Sequence, residues 1–259
     1  MHASPFSLVK WYLDCVTDEG DVAIVYCAEL RWRGVHASVG SMLFGDGIGV
    51  STRTSISRHR VSRDSSLISA ELPKLGVSGR WEAGEIPFEC TVYENGAGRV
   101  HWNCLQPRSE VAVRVEDREL RGIGYAECLT LTIPPWQLPM QTLRWGRFAS
   151  PDHSLAWVDW QGSFGTSFAV LDGKECKPLA VSESKVTVPD AELQIEPGLS
   201  LRSGRLGATV LPGASRLAKL FPSSIFNVDE HKWRSRGVLT LNGLTDSGWV
   251  IHEVVHWRP

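Results

Sequence analysis

The sequence lacks the features by which several large classes of protein are recognised. It has no apolar run long enough to cross a bilayer and no cluster of basic residues. Its 27 lysines and arginines stand against 29 aspartates and glutamates, a formal net charge of −2, so charge gives no reason to expect nucleic acid or an anionic membrane as a partner. The first residues, MHASPFSLVKWYLDC, lack the charged and apolar regions of a secretory signal. We therefore expect a cytoplasmic protein without a nucleic-acid partner and without stable membrane insertion.

Motifs that hold cofactors, metals or activated nucleophiles are also missing. There is no HExxH, GxSxG or P-loop, and Glu127 stands where a dinucleotide fingerprint starting at Gly122 would need its third glycine. The cysteines form no CxxC pair, and none lies beside a histidine at metal-ligand spacing. We predict no cofactor and no metal. The six cysteines are interpreted as small apolar side chains of strands: Cys15, Cys27, Cys90, Cys104, Cys128 and Cys176.

The residues that are abundant point to many short strands. Tryptophan is high, with 11 residues, and 24 glycines and 14 prolines punctuate the chain about every ten residues. Strand-like runs include KWYLDCV, VAIVYCAELRW, VHASVGSMLF, EVAVRVEDREL and RGIGYAECLTLTI. Helical periodicity is almost absent, and the one candidate is a short helix over residues 215–221. The fold class is therefore all-β, and composition alone fits either a sandwich or a meander barrel.

The segment PPWQLP, residues 134–139, is the best domain boundary. Three prolines in six residues cannot occupy a central strand, and they stiffen a connection. The strand pattern restarts after them, and both halves open with an aromatic strand, a turn and a second Trp-containing strand. We predict two related domains, residues 1–133 and 134–259.

Carboxylates interrupt the apolar face of several strands. Alternate residues of a strand share a face, so Glu127 shares one with Tyr125 and Leu129. The last strand repeats the pattern with Glu253 between Ile251 and Val255. Two further pairs behave in the same way: Asp159 with Trp157, and Asp14 with Tyr12.

A carboxylate that faces a barrel interior must be paired, hydrogen-bonded or neutral, because burial of the bare charge is costly. Desolvation raises the pKa of such a group, which suits a general acid near neutral pH. The alternatives are a structural hydrogen bond from Tyr, Trp or Arg, and an apolar face that points outward at a domain interface. Among the histidines, His101 beside Trp102 is the plausible polar group of a pocket, while His252 and His256 are expected to face solvent or the second domain.

Several stretches resemble one family. KWYLDCVTDEG, GIGYAECLTLTIPPWQLP, LRWGRF, AWVDWQG and GWVIHEVVHW resemble the lipocalin-related hydroxyneurosporene synthases, which are carotenoid hydratases, and their AttH-like relatives, which include fungal pericyclases. The resemblance touches both halves of the chain. It implies two tandem lipocalin-like (calycin-like) antiparallel barrels and cofactor-free chemistry on isoprenoid or polyene substrates.

The resemblance also implies roles for particular residues. In the hydratases an acidic residue two positions after a tyrosine, on a GYxD-like strand, is the suspected proton donor, and Tyr125 and Glu127 match it here as GYAE. His101 and Trp102 are the nearest matches to a preceding His and Trp, although the family has one residue between them. Apart from the resemblance, the positions of the carboxylates and aromatic residues along the strands predict substrate contacts for Trp102, Tyr12, Asp14, Trp157, Asp159 and Glu253.

Three functional hypotheses follow. The first is an enzyme, in which protonated Glu127 donates a proton to an apolar isoprenoid or polyene-like molecule in a hydration, isomerisation or cyclisation. The second is a lipocalin-like carrier whose buried carboxylates orient an apolar ligand. The third is a protein whose barrels are filled by their own large side chains. Nothing in the sequence indicates an oligomeric state.

Overall fold

A computed structural model describes residues 6–205 and 228–257, and it is built from strands. The all-β prediction is confirmed, since the described residues contain antiparallel strands and two 3-10 turns, Pro73–Leu75 and Pro135–Gln137. The short helix predicted over 215–221 lies outside the described residues. Over the described ranges, no helix has the length and apolar character that a bilayer crossing requires. The described chain divides into two compact units, residues 6–138 and residues 139–205 with 228–257.

The first unit is one antiparallel sheet in the order β4-β3-β2-β1-β10-β9-β7-β6-β5, with β8 also paired to β9. Its ten described strands are β1 Phe6–Val16, β2 Val22–Trp32, β3 Val35–Gly45, β4 Val50–Ile56, β5 Arg60–Asp64, β6 Leu67–Leu72, β7 Val77–Ala83, β8 Phe88–Asn95, β9 Gly98–Val115 and β10 Arg118–Leu131.

Short hairpins set the register of these strands. Arg33 and Gly34, the two residues between β2 and β3, have φ of 48° and 79°, the positive values that a tight hairpin with the right twist needs. Glu116, between β9 and β10, has φ of 55°. The run EVAVRVEDREL therefore does not form one strand, because the chain reverses at its central Glu-Asp.

The first sheet curls so that strands near its two ends meet. A Cβ at Gly40 of β3 would lie 2.8 Å from Leu72 of β6, and Arg53 of β4 donates to the carbonyl of Leu75 at 2.9 Å. The inner face holds the hydrophobic core, which includes Leu13, Val25, Cys27, Met42, Trp81, Ala126 and Cys128. Trp81 crosses this interior and donates its indole N–H to the carbonyl of Asp14 at 2.7 Å.

The second unit repeats the arrangement in the order β14-β13-β12-β11-β20-β19-β17-β16-β15, with β18 paired to β19. Its described strands are β11 Met140–Ala149, β12 Ser154–Gly162, β13 Thr166–Leu171, β14 Lys174–Cys176, β15 Ala180–Val181, β16 Lys185–Val188, β17 Ala191–Ile195, β18 Leu199–Arg205, β19 Val228–Leu241 and β20 Leu244–Trp257. Phe148, Leu155, Trp157, Val186 and Leu193 belong to its core. The prediction of two tandem antiparallel barrels is thus confirmed in this form: each unit is one curled antiparallel sheet, and the two sheets have the same order of strands.

Candidate active site

Glu127 lies in the centre of the first sheet with its carboxylate buried. On β10 it pairs with Tyr12 of β1 on one side and with Cys104 of β9 on the other. Only 8% of the residue is exposed. Its Oε2 accepts two hydrogen bonds, from the Trp102 indole N–H at 2.5 Å and from the Tyr125 hydroxyl at 2.7 Å. The contact with Tyr125 agrees with the parity that placed these two residues on one face.

Aromatic rings surround this carboxylate. The Tyr12 ring meets those of Tyr125 and Tyr26 edge to face, with centroids 6.0 and 5.4 Å apart. Phe88 meets Trp102 edge to face at 5.9 Å. Such faces carry negative quadrupole charge, so they attract a cation more strongly than an aliphatic wall does.

The thiol of Cys104 extends the hydrogen-bond network, which sequence reasoning missed. Cys104 is hydrogen-bonded to Tyr125, and both residues are fully buried. Burial, with the charge of Glu127 as a smaller cause, raises the pKa of the Cys104 thiol and of the Tyr125 hydroxyl well above their usual values. Both groups are therefore neutral, and Tyr125 keeps the proton that it donates to Glu127. The spacing in the sequence could have indicated this contact, because Cys104 lies two residues after Trp102 and therefore shares its face of the strand.

A bulge in the sheet lies directly beside Glu127. The register between β10 and β9 shifts on both sides of Ala126, and Pro107 of β9 has no partner residue on β10. Proline has no N–H to give to the ladder, so it is suited to such an interruption. The bulge ends at Glu127, where the regular register from Glu127 and Cys104 to Leu131 and Val100 begins, and in that regular ladder Trp102 is a diagonal neighbour of Glu127 on the same face.

Of the two orientations that the sequence leaves open for Glu127, the structure has the one in which its face points away from the barrel interior. Its neighbours Ala126 and Cys128 belong to the inner core, so Glu127 leaves the sheet on the opposite, outer face. The inner face of β10 takes small residues because Trp81 and other large side chains already fill the interior. A Cβ at Gly124 would lie 1.9 Å from the carbonyl oxygen of Asp14, which shows how little space remains at that position.

His101 does not join this site. It pairs in register with Thr130, and its ring contacts Thr91 at 3.3 Å and Glu89 at 3.7 Å. Because consecutive residues of a strand face opposite ways, His101 and Trp102 cannot both reach Glu127. Asp14 does share the face of Glu127; it is fully buried and lies opposite Tyr125 in the register.

The site residues predicted in the second unit have structural partners. Glu253 forms an ion pair with Lys232, whose ammonium lies 5.2 Å from the centre of the Trp145 ring. Trp157 is 1% exposed in the core, packed so closely that a Cβ at Gly146 would lie 2.2 Å from its ring, and this placement contradicts a substrate contact.

Asp159 lies 3.7 Å from Arg144 and accepts a hydrogen bond from Gln161 at 2.8 Å. His252 was expected to face solvent or the second domain; instead it is 6% exposed, within 3.2 Å of Ser235 Oγ and stacked on Trp233.

Glu127 and Glu253 occupy equivalent positions of the two sheets. Glu127 is on β10, between β1 and β9, and Glu253 is on β20, between β11 and β19. Glu127 pairs with Tyr12 of β1, and Glu253 pairs with Trp145 of β11. The other neighbour differs, because the position of Cys104 in the first unit is that of Lys232 in the second. Glu127 thus accepts from the neutral donors Trp102 and Tyr125, whereas Glu253 is paired with a cation.

Two cavities of the first unit lie away from these residues. One of about 280 Å³ is lined by residues including Ser69, Arg80 and Arg114, and one of about 480 Å³ by residues including Arg80, Glu110 and Arg121. Neither is lined by Glu127. Both have charged linings, which differ from the apolar lining expected for an isoprenoid site.

Comparison with known proteins identifies the fold. No protein-family model and no curated protein matches the chain. Among solved structures, a provisionally named AttH protein from Nitrosomonas europaea is similar over 98% of this chain and 94% of its own, with a TM-score of 0.60 and 12% identity. CghA, determined with Sch210972, is similar over 97% of this chain and 89% of its own, with a TM-score of 0.57 and 9% identity. Kievitone hydratase from Nectria haematococca is similar over 98% and 90%, with a TM-score of 0.56 and 9% identity.

These likenesses extend over nearly the whole of each chain, so they include both units. At identities of 9–12% they establish shared architecture and not shared chemistry. The chain therefore has the lipocalin-like two-sheet fold that is also found in an AttH protein, in CghA and in kievitone hydratase.

Proposed function

We propose that the protein is a cofactor-independent acid–base enzyme, a hydratase, isomerase or cyclase, that acts on an apolar isoprenoid or polyene-like small molecule. One observation carries the proposal: a buried carboxylate, Glu127, is held by two neutral donors, Trp102 and Tyr125, among aromatic rings. The hydratase among the proteins of the same fold supports the reaction class.

In this proposal the two oxygens of Glu127 have different roles. Because Oε2 of Glu127 receives both donors, a proton carried by this carboxyl group lies on Oε1. Transfer of that proton to an alkene or enol carbon leaves a cation on the substrate and a carboxylate on Glu127. The two donors to Oε2 then stabilise the new negative charge, and the tyrosine and tryptophan faces stabilise the cation. Addition of water, loss of a neighbouring proton or ring closure completes hydration, isomerisation or cyclisation.

Deuterium transfer to carbon tests this role. Farnesol, geranylgeraniol, lycopene and kievitone are incubated with the protein in deuterium oxide, and products are analysed by mass spectrometry. We expect carbon-bound deuterium with wild type and a rate at least about a hundredfold lower with Glu127→Gln, which cannot donate a carboxyl proton. Glu110→Gln, an exposed carboxylate of β9, is the matched control and should react as wild type does. Equal rates for wild type and Glu127→Gln would exclude Glu127 as the acid.

An apolar-ligand carrier is the second candidate. The observation that favours it is the same network, since a carboxylate with two donors on one oxygen is also a satisfied structural group. A carrier predicts quenching of tryptophan fluorescence by the four compounds, recovery of each compound unchanged, and quenching that persists in Glu127→Gln.

A further inference from the structure

A second group of polar side chains lies at one end of the first sheet, on its inner face. Glu29 of β2 and Ser38 of β3 are direct partners in the register. Glu29 lies two residues after Cys27 of the core, and Ser38 lies two residues before Gly40, which faces Leu72. His59, in the connection between β4 and β5, reaches both of them. None of these residues takes part in the function proposed for Glu127.

The three side chains form a chain of contacts in which Ser38 would be the nucleophile, His59 the base and Glu29 the carboxylate that orients the base. Ser38 Oγ lies 3.0 Å from His59 Nδ1, and His59 Nε2 lies 3.4 Å from Glu29 Oε1. The His59 side chain is only 7% exposed, so its ring is held in place by its surroundings. The single hydroxyl proton of Ser38 has three acceptors within reach, which are His59 Nδ1, the Ser57 carbonyl at 3.1 Å and the Glu29 carboxylate, and the reactive rotamer is the one that turns the proton to His59. Such a site is recognised by geometry and roles rather than by a sequence motif.

The neighbouring charges favour the His59 tautomer that has its proton on Nε2, which is the one a base for Ser38 requires. Burial opposes ionisation of Glu29, but hydrogen bonds from Ser38 and His36 outweigh it and lower the pKa of the carboxyl below its usual value. Burial lowers the pKa of His59, with Glu29 opposing, so the ring is neutral at pH 7. An anion beside Nε2 holds the proton on that nitrogen, which leaves the Nδ1 lone pair directed at Ser38.

Neighbouring groups complete the surroundings of this site. The second oxygen of Glu29 lies 2.9 Å from His36 Nε2, a contact that orients the carboxylate. Val9 pairs in register with Glu29, and Val9 and Trp11 are partly buried against the core beneath it. This partly exposed apolar surface, on the side of Glu29 away from Ser38, suits an acyl or aryl group that extends from the hydroxyl across Glu29.

We propose that Ser38, His59 and Glu29 form a second reactive site, which hydrolyses small esters with an apolar acyl group. Ser38 Oγ bonds to the carbonyl carbon while His59 Nδ1 takes the hydroxyl proton. The bond from that carbon to the leaving alkoxy oxygen then breaks, and Nδ1 returns the proton to this oxygen. Water repeats the sequence on the acyl-Ser38, taking the acyl group as a carboxylic acid and restoring the hydroxyl.

A fluorophosphonate probe tests the nucleophile directly in the full chain. We expect the probe to add to a single serine of the folded wild type, identified as Ser38 by peptide mass spectrometry. Labelling should rise with pH as His59 becomes neutral, and it should disappear in urea. Failure to label the folded protein, or labelling of another serine, would overturn the proposal without affecting the role of Glu127.

Variants separate the roles of the three residues. Ser38→Ala should abolish labelling and p-nitrophenyl butyrate hydrolysis, and His59→Gln should slow both about a hundredfold. Ser62→Ala, which removes an exposed serine of β5, should behave as wild type does. Glu29 is a positioning residue, so Glu29→Gln should both slow labelling and move its pH midpoint lower, while Glu29→Asp restores part of the rate. Thermal melting confirms that each variant is folded, and wild-type rates in Ser38→Ala would refute the site.

Discussion

At the scale of single residues, the hydrogen bonds to Glu127 come from uncharged groups. Trp102 and Tyr125 are the donors, and Tyr125 is bonded in turn to the thiol of Cys104. Tyr125 donates through a hydroxyl that is protonated at neutral pH, and burial reinforces this state by raising the pKa of the hydroxyl; burial likewise raises the pKa of the Cys104 thiol. A buried network of this kind is costly when one member is removed, because the remaining groups lose partners that water cannot replace.

Tyr125→Phe tests the cost of this network. The substitution leaves the ring in place but removes the hydroxyl that bonds to Glu127 and Cys104, so we expect a loss of about 1–3 kcal/mol in the free energy of unfolding. The matched control is Tyr93→Phe, whose hydroxyl accepts a bond from Asn95 at the surface and should cost no more than about 0.5 kcal/mol. Urea unfolding followed by fluorescence measures both, and equal losses would contradict the network.

His252 gives a prediction for pH. Burial, reinforced by the charge of Lys232, lowers the pKa of His252 from 6.5 to about 4. Between these values the unfolded chain binds more protons than the folded one, so stability is present above pH 6.5 and is lost as pH falls towards 4. Between pH 7.5 and 4.5 the wild type should lose about 2–3 kcal/mol more than His252→Gln does. His256→Gln, at an exposed histidine of β20 whose ring contacts the neutral Thr142, should keep the wild-type pH dependence in urea unfolding, and an unchanged pH dependence in His252→Gln would disprove the assignment.

At the scale of strands and turns, the alternation of side chains could be predicted from the sequence. Which face of the sheet becomes the concave interior could not. VAIVYCAELRW matches β2, and the pairing of Tyr125 with Glu127 on one face holds. Parity says which residues share a face; which face becomes the interior depends on side chains from distant strands. Trp81, far from β10 in sequence, fills the interior and leaves space there for Ala126 but not for Glu127.

Bulges and turns set a second limit on prediction. The register shift at Ala126 depends on how β9 and β10 pair, which no local pattern encodes. The Glu-Asp hairpin between these strands lacks glycine, so its apolar flanks resemble one continuous strand. His101 adjoins Trp102, as the resemblance to the hydratases suggests, but alternation along β9 places their two side chains on opposite faces of the sheet.

Close packing between strands gives a prediction at this scale. Gly146 of β11 faces the Trp157 ring, and a methyl group there would lie 2.2 Å from it. Gly146→Ala must therefore displace a buried indole, and we expect a loss of about 1–3 kcal/mol. Gly47→Ala, in a turn with no heavy atom within 4 Å of the added methyl, is the control and should not be destabilising. Calorimetric melting of the two variants compares them, and equal melting temperatures would contradict the packing.

At the scale of the whole molecule, two sheets of one strand order carry carboxylates at equivalent positions with different neighbours. Glu127 accepts hydrogen bonds from Trp102 and Tyr125, neither of which carries a charge. Glu253 is paired with the fully buried Lys232, which fixes it as an anion. Under the proposed function, this backbone position serves proton transfer in one unit and ion pairing in the other because its neighbours differ: Lys232 stands at the position of Cys104, and Ile251 at that of Tyr125.

Glutamine substitutions at the two positions should therefore have opposite effects. Glu253→Gln removes the carboxylate that pairs with Lys232, so we expect a loss of about 3 kcal/mol in unfolding free energy with deuterium transfer retained at 15 °C. Glu127→Gln keeps an oxygen that can accept from Trp102 and Tyr125, so stability should change by less than about 1 kcal/mol while deuterium transfer falls at least about a hundredfold. Urea unfolding and the deuterium assay on the same preparations measure both quantities. If Glu253→Gln lost the reaction while remaining folded, or if Glu127→Gln lost only stability, the assignment of catalysis to the first unit would have to be abandoned.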